Sequence, residues 1–274
     1  MGNSAPVPSA GAISASDFAQ CLGRYPSCIE AISASKGAKP GQKTLAELDQ
    51  YRYGEALQLF GTTTSNGDAA TQTEMGLDHV KTLVEWKLRH GKFRPTLMKL
   101  VSSNEPEALR ETIREAIEDY RTSSDVPGAV GTLTKLRGIG PATASLLLAV
   151  HDQENVIFFA DEAFYWLCCG GSKGPIKYNL KEYTELNERA RALARRLGVK
   201  AVDVERVAFV LMRQDQDQDS ETVAPTTGAE PQTDVSLSAS GNGTKKQPAK
   251  RKTALVQDSE IAPGLRRSKR GKQA

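Results

Sequence analysis

Leu136-Arg137-Gly138-Ile139-Gly140-Pro141-Ala142-Thr143-Ala144 is the most informative stretch of the chain. It lies between two segments with helical apolar spacing: Ala129, Val130, Leu133 and Leu136 lead into it, and the nearly all-apolar Ala142–Val150 follows. Two glycines allow a tight reversal with positive φ, and their missing side chains let another backbone come close. Pro141 suits a first helical position. A helix therefore begins at once, with its unpaired N–H groups and positive dipole end facing out of the turn. That geometry attracts a phosphate oxygen, and Lys135 and Arg137 add charge beside it. A Gly-x-Gly before a helix also serves many ordinary helical corners. The longer string favours contact with DNA backbone, carried by Lys135, Arg137, Gly138, Ile139, Gly140 and Thr143.

Outward from this turn, helical spacing recurs on both sides, and the chain reads as all-α. Thr44 with Glu47 makes a capping box ahead of Leu45, Leu48, Ala56, Leu59 and Phe60. Leu77, Val80, Leu83, Val84 and Leu88 form one stripe, ended by Gly91. Asn104 with Glu107 predicts the cap of a helix through Tyr120, and Asp125 opens the helix that enters the turn. The helix after the turn is apolar on nearly every side, which predicts the central buried element. Asp161 predicts an N-cap for a short helix through Cys169. Asn179 with Glu182 starts a long helix closed by Gly198, and Val204, Val207, Ala208 and Leu211 finish the pattern. Val156–Phe159 is the single strand candidate and has no partner. The expected organisation is a disordered leader over 1–16, a helical domain over 17–213 and a disordered tail over 214–274.

At the Gly138–Gly140 string the sequence resembles the helix-hairpin-helix DNA glycosylase superfamily. In that family a Gly/Pro-rich loop and an essential aspartate follow the hairpin by some two dozen residues. Asp161 follows Gly138 by 23 positions, comes after the apolar Val156-Ile157-Phe158-Phe159-Ala160, and precedes helical Ala163–Cys169. The likeness is strong over about 129–169, holds as a helical pattern over about 44–212, and is absent from the tails. It implies a helical glycosylase fold, double-stranded DNA as partner and Asp161 as catalytic carboxylate. Residues 77–212 also resemble a set of fungal proteins, a likeness that supplies no function. Family members that cut the strand carry a lysine two positions after the second glycine, to form a Schiff base. Ala142 stands there, which implies a glycosylase without lyase activity. The family commonly follows its aspartate with Thr-His or Val-His, whereas this chain has Glu162-Ala163, a second acid that alters the setting of the first.

The chemistry at Asp161 has its own logic. Breaking an N-glycosidic bond develops positive charge on the deoxyribose, and a fixed carboxylate stabilises that cation and orients the attacking water. The target base must first leave the stack for a pocket; Tyr165 and Trp166, on the same helix as Asp161, are candidates to stack on it, although aromatics there more often belong to the core. An aspartate at a helix start also has a purely structural use as a cap.

Charge is unevenly spread. Residues 245–274 hold ten Lys/Arg against two acids, residues 214–244 hold six acids and no Lys or Arg, and 1–213 is left with a net charge of +1 out of +3 overall. Lys245-Lys246, Lys250-Arg251-Lys252 and Arg266-Arg267-Ser268-Lys269-Arg270 look like nuclear-localisation clusters that would engage the import machinery, and such runs also bind phosphate non-specifically. No apolar run is long enough for a bilayer, so the chain reads as a soluble, nuclear monomer. Cys21, Cys28, Cys168 and Cys169 do not make the close quartet of an iron–sulfur cluster. His79, His90 and His151 lie far apart, which argues against catalytic zinc. No cofactor is expected beyond a candidate monovalent cation at the hairpin, which the resemblance implies. The Gly170-Gly171-Ser172-Lys173-Gly174 loop lacks the ending of a nucleotide P-loop. Lys87, Arg89, His90, Lys92 and Arg94 cluster at a helix end, where cations suit either phosphate or the helix dipole. Three functions remain open: a monofunctional DNA N-glycosylase of base excision repair, a non-enzymatic DNA-binding or chromatin-associated module, and a helical scaffold whose hairpin is only a turn.

Overall fold

A computed structural model describes residues 7–61 and 73–219, the last six of these as backbone. Among them every regular element is helical: α1 (Ala15–Lys36), α2 (Leu45–Gln50), a π turn (Tyr51–Glu55), α3 (Ala56–Phe60), α4 (Leu77–His90), α5 (Leu97–Ser102), α6 (Pro106–Ser123), α7 (Val126–Leu133), α8 (Pro141–His151), α9 (Asp161–Cys168), α10 (Leu180–Leu197) and α11 (Ala201–Asp219). The basic clusters beyond 244 lie outside the described residues.

α8 is the centre. Every residue from Thr143 to His151 is buried, as an all-apolar helix requires. α7 reaches it through the Gly138 turn, α3 and α4 pack on it from one side, and α10 from another. The caps form largely where the sequence puts them. Thr44 and Glu47 make the reciprocal box of α2, Asp125 accepts from Gly128 N–H at 3.1 Å, and Asn179 accepts from Glu182 N–H at 2.9 Å. Gly198 closes α10 at φ 66°.

Three expectations are corrected. The leader expected over 1–16 is packed from residue 7. Ile13 is buried, the Pro8 carbonyl accepts from Trp166 Nε1 at 2.8 Å, and Arg196 donates to the carbonyls of Ala10 and Ile13. Ser14 then caps α1 at Asp17 N–H. At the other end α11 runs on to Asp219, past the boundary expected at 214. The cap of α6 is Glu105, which accepts from Ala108 N–H at 2.7 Å with Pro106 in the first turn, not Asn104 with Glu107.

The Val156–Ala160 segment is buried and irregular, and it pairs with no strand among the described residues. Buried backbone groups need partners, and here side chains supply them. Ile157 N–H donates to Asn187 Oδ1 at 3.1 Å, Phe159 N–H donates to Ser145 Oγ at 2.9 Å, and Tyr183 OH donates to the Ile157 carbonyl at 3.2 Å. A buried segment fixed at three points thus delivers Asp161 to the start of α9.

His151 ends α8 inside the core, where its Nδ1–H donates to the Phe60 carbonyl at 3.1 Å. Burial, aided by Arg121, pushes its pKa down to about 4. An unfolded histidine titrates near ~6.5. The folded form therefore resists protonation: its stability contribution is full above ~6.5 and is lost as pH falls towards 4, about 3 kcal/mol in all. Urea midpoints measured from pH 7.5 to 4.5 should fall steeply, and His151→Asn should flatten that part of the curve. Parallel curves for the two proteins would contradict this assignment.

Candidate functional site

The hairpin is pinned from behind. Gly138 adopts φ 76°, and a Cβ there would stand 3.0 Å from Leu100 Cβ, Val101 Cγ2 and the Val101 nitrogen, so α5 approaches the turn too closely for a side chain. Asn104, released from capping duty, clamps the same turn: its Oδ1 accepts from Arg137 N–H at 2.8 Å and its Nδ2 donates to the Arg137 carbonyl at 2.9 Å. Ile139 is buried and anchors the loop. Thr143 is buried as well, its N–H taken by the Gly140 carbonyl at 2.9 Å, so its side chain faces the fold. Lys135, Arg137 and Gly140 face outward. Among the described residues the amides of Gly138, Gly140 and Ala142 donate to no protein acceptor, which leaves three N–H groups at one exposed helix start.

A cation in this turn would bind backbone carbonyls. Those of Leu136, Arg137 and Gly140 accept hydrogen bonds, and each carbonyl oxygen keeps a second lone pair. Among the described residues no cluster of three or more His, Cys, Asp or Glu could hold a metal ion.

Beside the hairpin lies a cavity of about 330 Å³, and Ala142, in the first turn of α8, is part of its wall. That volume is at the small end for ligand pockets, which run ~300–1,000 Å³. Asp161 lines it. The carboxylate does not cap α9 as expected: the capping position is Ala160, with no side-chain bond, and Asp161 is the first helical residue. It turns instead to the cavity, where Oδ1 accepts from Tyr178 OH at 2.7 Å and Oδ2 pairs with Lys92 Nζ at 2.9 Å.

Tyr178 holds a left-handed backbone at φ 54°, unusual for a bulky side chain and characteristic of functional positions. Its ring meets Phe159 at 5.6 Å and lies under Arg94 at 5.4 Å. Burial and the neighbouring carboxylate hold its phenol protonated, well above the usual tyrosine range, so it stays a donor to Asp161. Asp161 also raises the pKa of Lys92, which is 66% exposed and closes the cavity from the rim.

The second acid is neutralised in place. Glu162 Oε1 accepts from Arg213 Nη2 of α11 at 3.0 Å, and Arg213 also donates to the His90 carbonyl at 3.1 Å. Glu162 therefore fixes an arginine on the cavity wall. Of the two aromatics expected near a base, Tyr165 lines the cavity, its OH donating to the Gly174 carbonyl at 3.0 Å. Trp166 does not. It is 1% exposed, on the far side of α9 and bonded to Pro8, because one helix face cannot serve both the core and the cavity.

In the sequence Lys87, Lys92 and Arg94 belong to a helix-end cluster suited to either phosphate or the helix dipole. The structure brings all three to the cavity, joined by Lys173 from the glycine loop, while Arg89 turns away to Glu85 and Gln42. Five cations and two carboxylates line a wall whose folded surroundings are otherwise near neutral. Tyr178 gave no sequence signal, since it lies in an irregular loop. No protein-family model, curated protein or solved structure matches this chain. What the fold and its cavity define is an all-helical protein, and no helix among the described residues is long and apolar enough to cross a membrane.

Proposed function

We propose that the protein is a nuclear DNA N-glycosylase that excises a damaged or mispaired base in base excision repair, without a cofactor. One observation carries the reading: Asp161, free of capping duty, lies in a base-sized cavity that shares its wall with the helix start behind the Gly138–Gly140 hairpin. A duplex held by its phosphates on Lys135, Arg137 and the turn amides would present a flipped nucleotide to that cavity. The five cations would meet its flanking phosphates, and Asp161 would face the sugar, where positive charge develops as the bond to the base breaks. Tyr165 and Tyr178 would contact the base. Phe93, between two cavity-lining cations and 74% exposed, is the apolar wedge to fill the gap left in the stack.

A second reading, a DNA-binding module that no longer cuts, draws on the Lys92 ion pair, which occupies Asp161 Oδ2 in the chain alone. The deciding experiment is base release from duplexes carrying a panel of damaged and mispaired bases. Release from one lesion supports the glycosylase and names its substrate. No release from any, with salt-dependent binding intact, leaves the module.

Binding itself makes a separate prediction. Lys135→Ala with Arg137→Ala should lower affinity for any duplex about equally and reduce the slope of log K against log salt by about 2, as expected for two lost phosphate contacts. An unchanged slope in fluorescence anisotropy would remove the hairpin from the interface.

A further inference from the structure

The cavity changes character with depth. Lys92 and Lys173 are exposed at its mouth. Phe158, Phe159 and Met212 are buried at its floor, and one polar side chain is buried with them: His90, 2% exposed at the end of α4. Its ring is fixed on both faces, stacked on Trp86 at 4.4 Å and set against Phe209 at 4.2 Å. The edge is fixed as well. Tyr25 OH gives its single proton to Asp49 Oδ1 at 2.8 Å, where Trp86 Nε1 also donates at 2.9 Å, so the Tyr25 oxygen is left to accept. His90 Nε2 lies 3.4 Å from that oxygen, which assigns the ring proton to Nε2 and the lone pair to Nδ1. Among the described residues Nδ1 makes no hydrogen bond, and it is not sealed from solvent. Burial, then Arg213, Lys36 and Arg52, holds the ring neutral. Burying a carboxylate and a phenol to hold one ring tautomer is costly, and packing alone does not require it.

Charge narrows what such a floor would take. The wall carries five cations against two carboxylates, so a base that is itself positive is repelled there. Undamaged cytosine and adenine present a ring nitrogen that accepts, and its lone pair would face that of Nδ1. Deamination turns the same ring nitrogen into an N–H donor beside a carbonyl. We propose that His90 reads the flipped base: its Nδ1 accepts a hydrogen bond from the ring N–H of an uncharged deaminated base and rejects the undamaged base, which lacks that proton. The inference rests on the glycosylase reading and names the substrate class of its cavity. A site built around one hydrogen bond discriminates well, because the wrong base leaves a buried polar group unpaired. No covalent bond changes at His90. It sets specificity and leaves the chemistry to Asp161.

The test uses the full chain, isotopically labelled at its histidine nitrogens, with free nucleobases as probes, so that no catalysis is needed. Long-range proton–nitrogen spectra tell a bare ring nitrogen from a protonated one. Wild type alone should show His90 Nδ1 bare. Uracil and hypoxanthine should move that resonance towards the protonated range and bind about tenfold or more tighter than cytosine and adenine. Uracil methylated at its ring N–H should bind no better than cytosine. His90→Phe keeps the aromatic stack but removes the acceptor, and should bring the preference for uracil to within about twofold. Spectra of wild type decide the matter even where the variant does not fold. A protonated Nδ1 in the free chain would overturn the proposal, as would no shift with any base or an equal shift with cytosine and adenine. Release of a deaminated base from a duplex, with no shift on adding that free base, sinks the His90 inference alone. A shift with uracil or hypoxanthine, with no release from any duplex, sinks the glycosylase reading alone.

Discussion

Asp161→Asn should reduce base release by about three orders of magnitude or more while duplex affinity is kept or slightly raised. A thousandfold corresponds to about 4 kcal/mol of barrier, the scale on which a fixed charge acts in a water-poor site. Asparagine keeps the acceptor for Tyr178 OH but loses the charge that would oppose the sugar cation. Folding should hardly notice. Asp161 does not cap α9, so no cap is lost, and its ion pair reaches a lysine that is mostly in solvent, where such pairs add little. Melting temperature, anisotropy and single-turnover release on the same preparation separate these effects. Release that survives in the variant would show that the carboxylate organises Lys92 and Tyr178 but does no chemistry. Loss of release together with loss of the fold would say nothing of catalysis, which is why Asp161→Glu, with the charge kept and displaced, is the companion variant: it should fall between the two.

The hairpin and the distance from Gly138 to Asp161 were legible because both are local: glycines, a proline and a spacing of 23 residues are properties of the string itself. Most caps were legible for the same reason. α1 was missed although Phe18, Cys21, Tyr25, Ile29 and Ser33 keep a helical interval, since Pro26 and the Ser/Ala composition around it masked the stripe. What the string does not carry is who faces whom. Asn104 looked like a cap and proved to be the clamp of a turn 33 positions away, because Glu105 with Pro106 could start α6 and leave its amide free. Lys92 reaches the Asp161 carboxylate across 161 − 92 = 69 positions, Lys87 shares its cavity, and Tyr178 arrives through a left-handed bend. Long-range pairings of this kind depend on how helices stack, and neither periodicity nor composition encodes them.

Glu205→Ala should be the most damaging single change outside the cavity, about 3–5 kcal/mol, or roughly 6–20 °C in melting temperature for a domain of this size. Glu205 is 2% exposed on α11 and Arg52 is fully buried in the π turn, 3.7 Å from it. Among the described residues the arginine's nitrogens make no hydrogen bond, and its cation otherwise rests on the faces of Tyr53 and Trp86. Burial raises the pKa of Glu205, and Arg52 pulls the other way. The same carboxylate accepts from Tyr53 OH at 2.6 Å, and the backbone of Phe158, three residues before Asp161, also favours its charged form. Truncation would thus leave a buried cation without its counter-charge and would loosen the segment that positions the catalytic candidate. Glu205→Gln retains the acceptor and should lose less. If the strain lies in the unpaired charge, Arg52→Met combined with Glu205→Leu should recover much of the stability, because removing both ions also removes their desolvation penalty. A double variant as unstable as Glu205→Ala would instead assign the loss to the hydrogen bond from Tyr53. Base release measured on the refolded double variant then tells how far the placement of Asp161 depends on that bond.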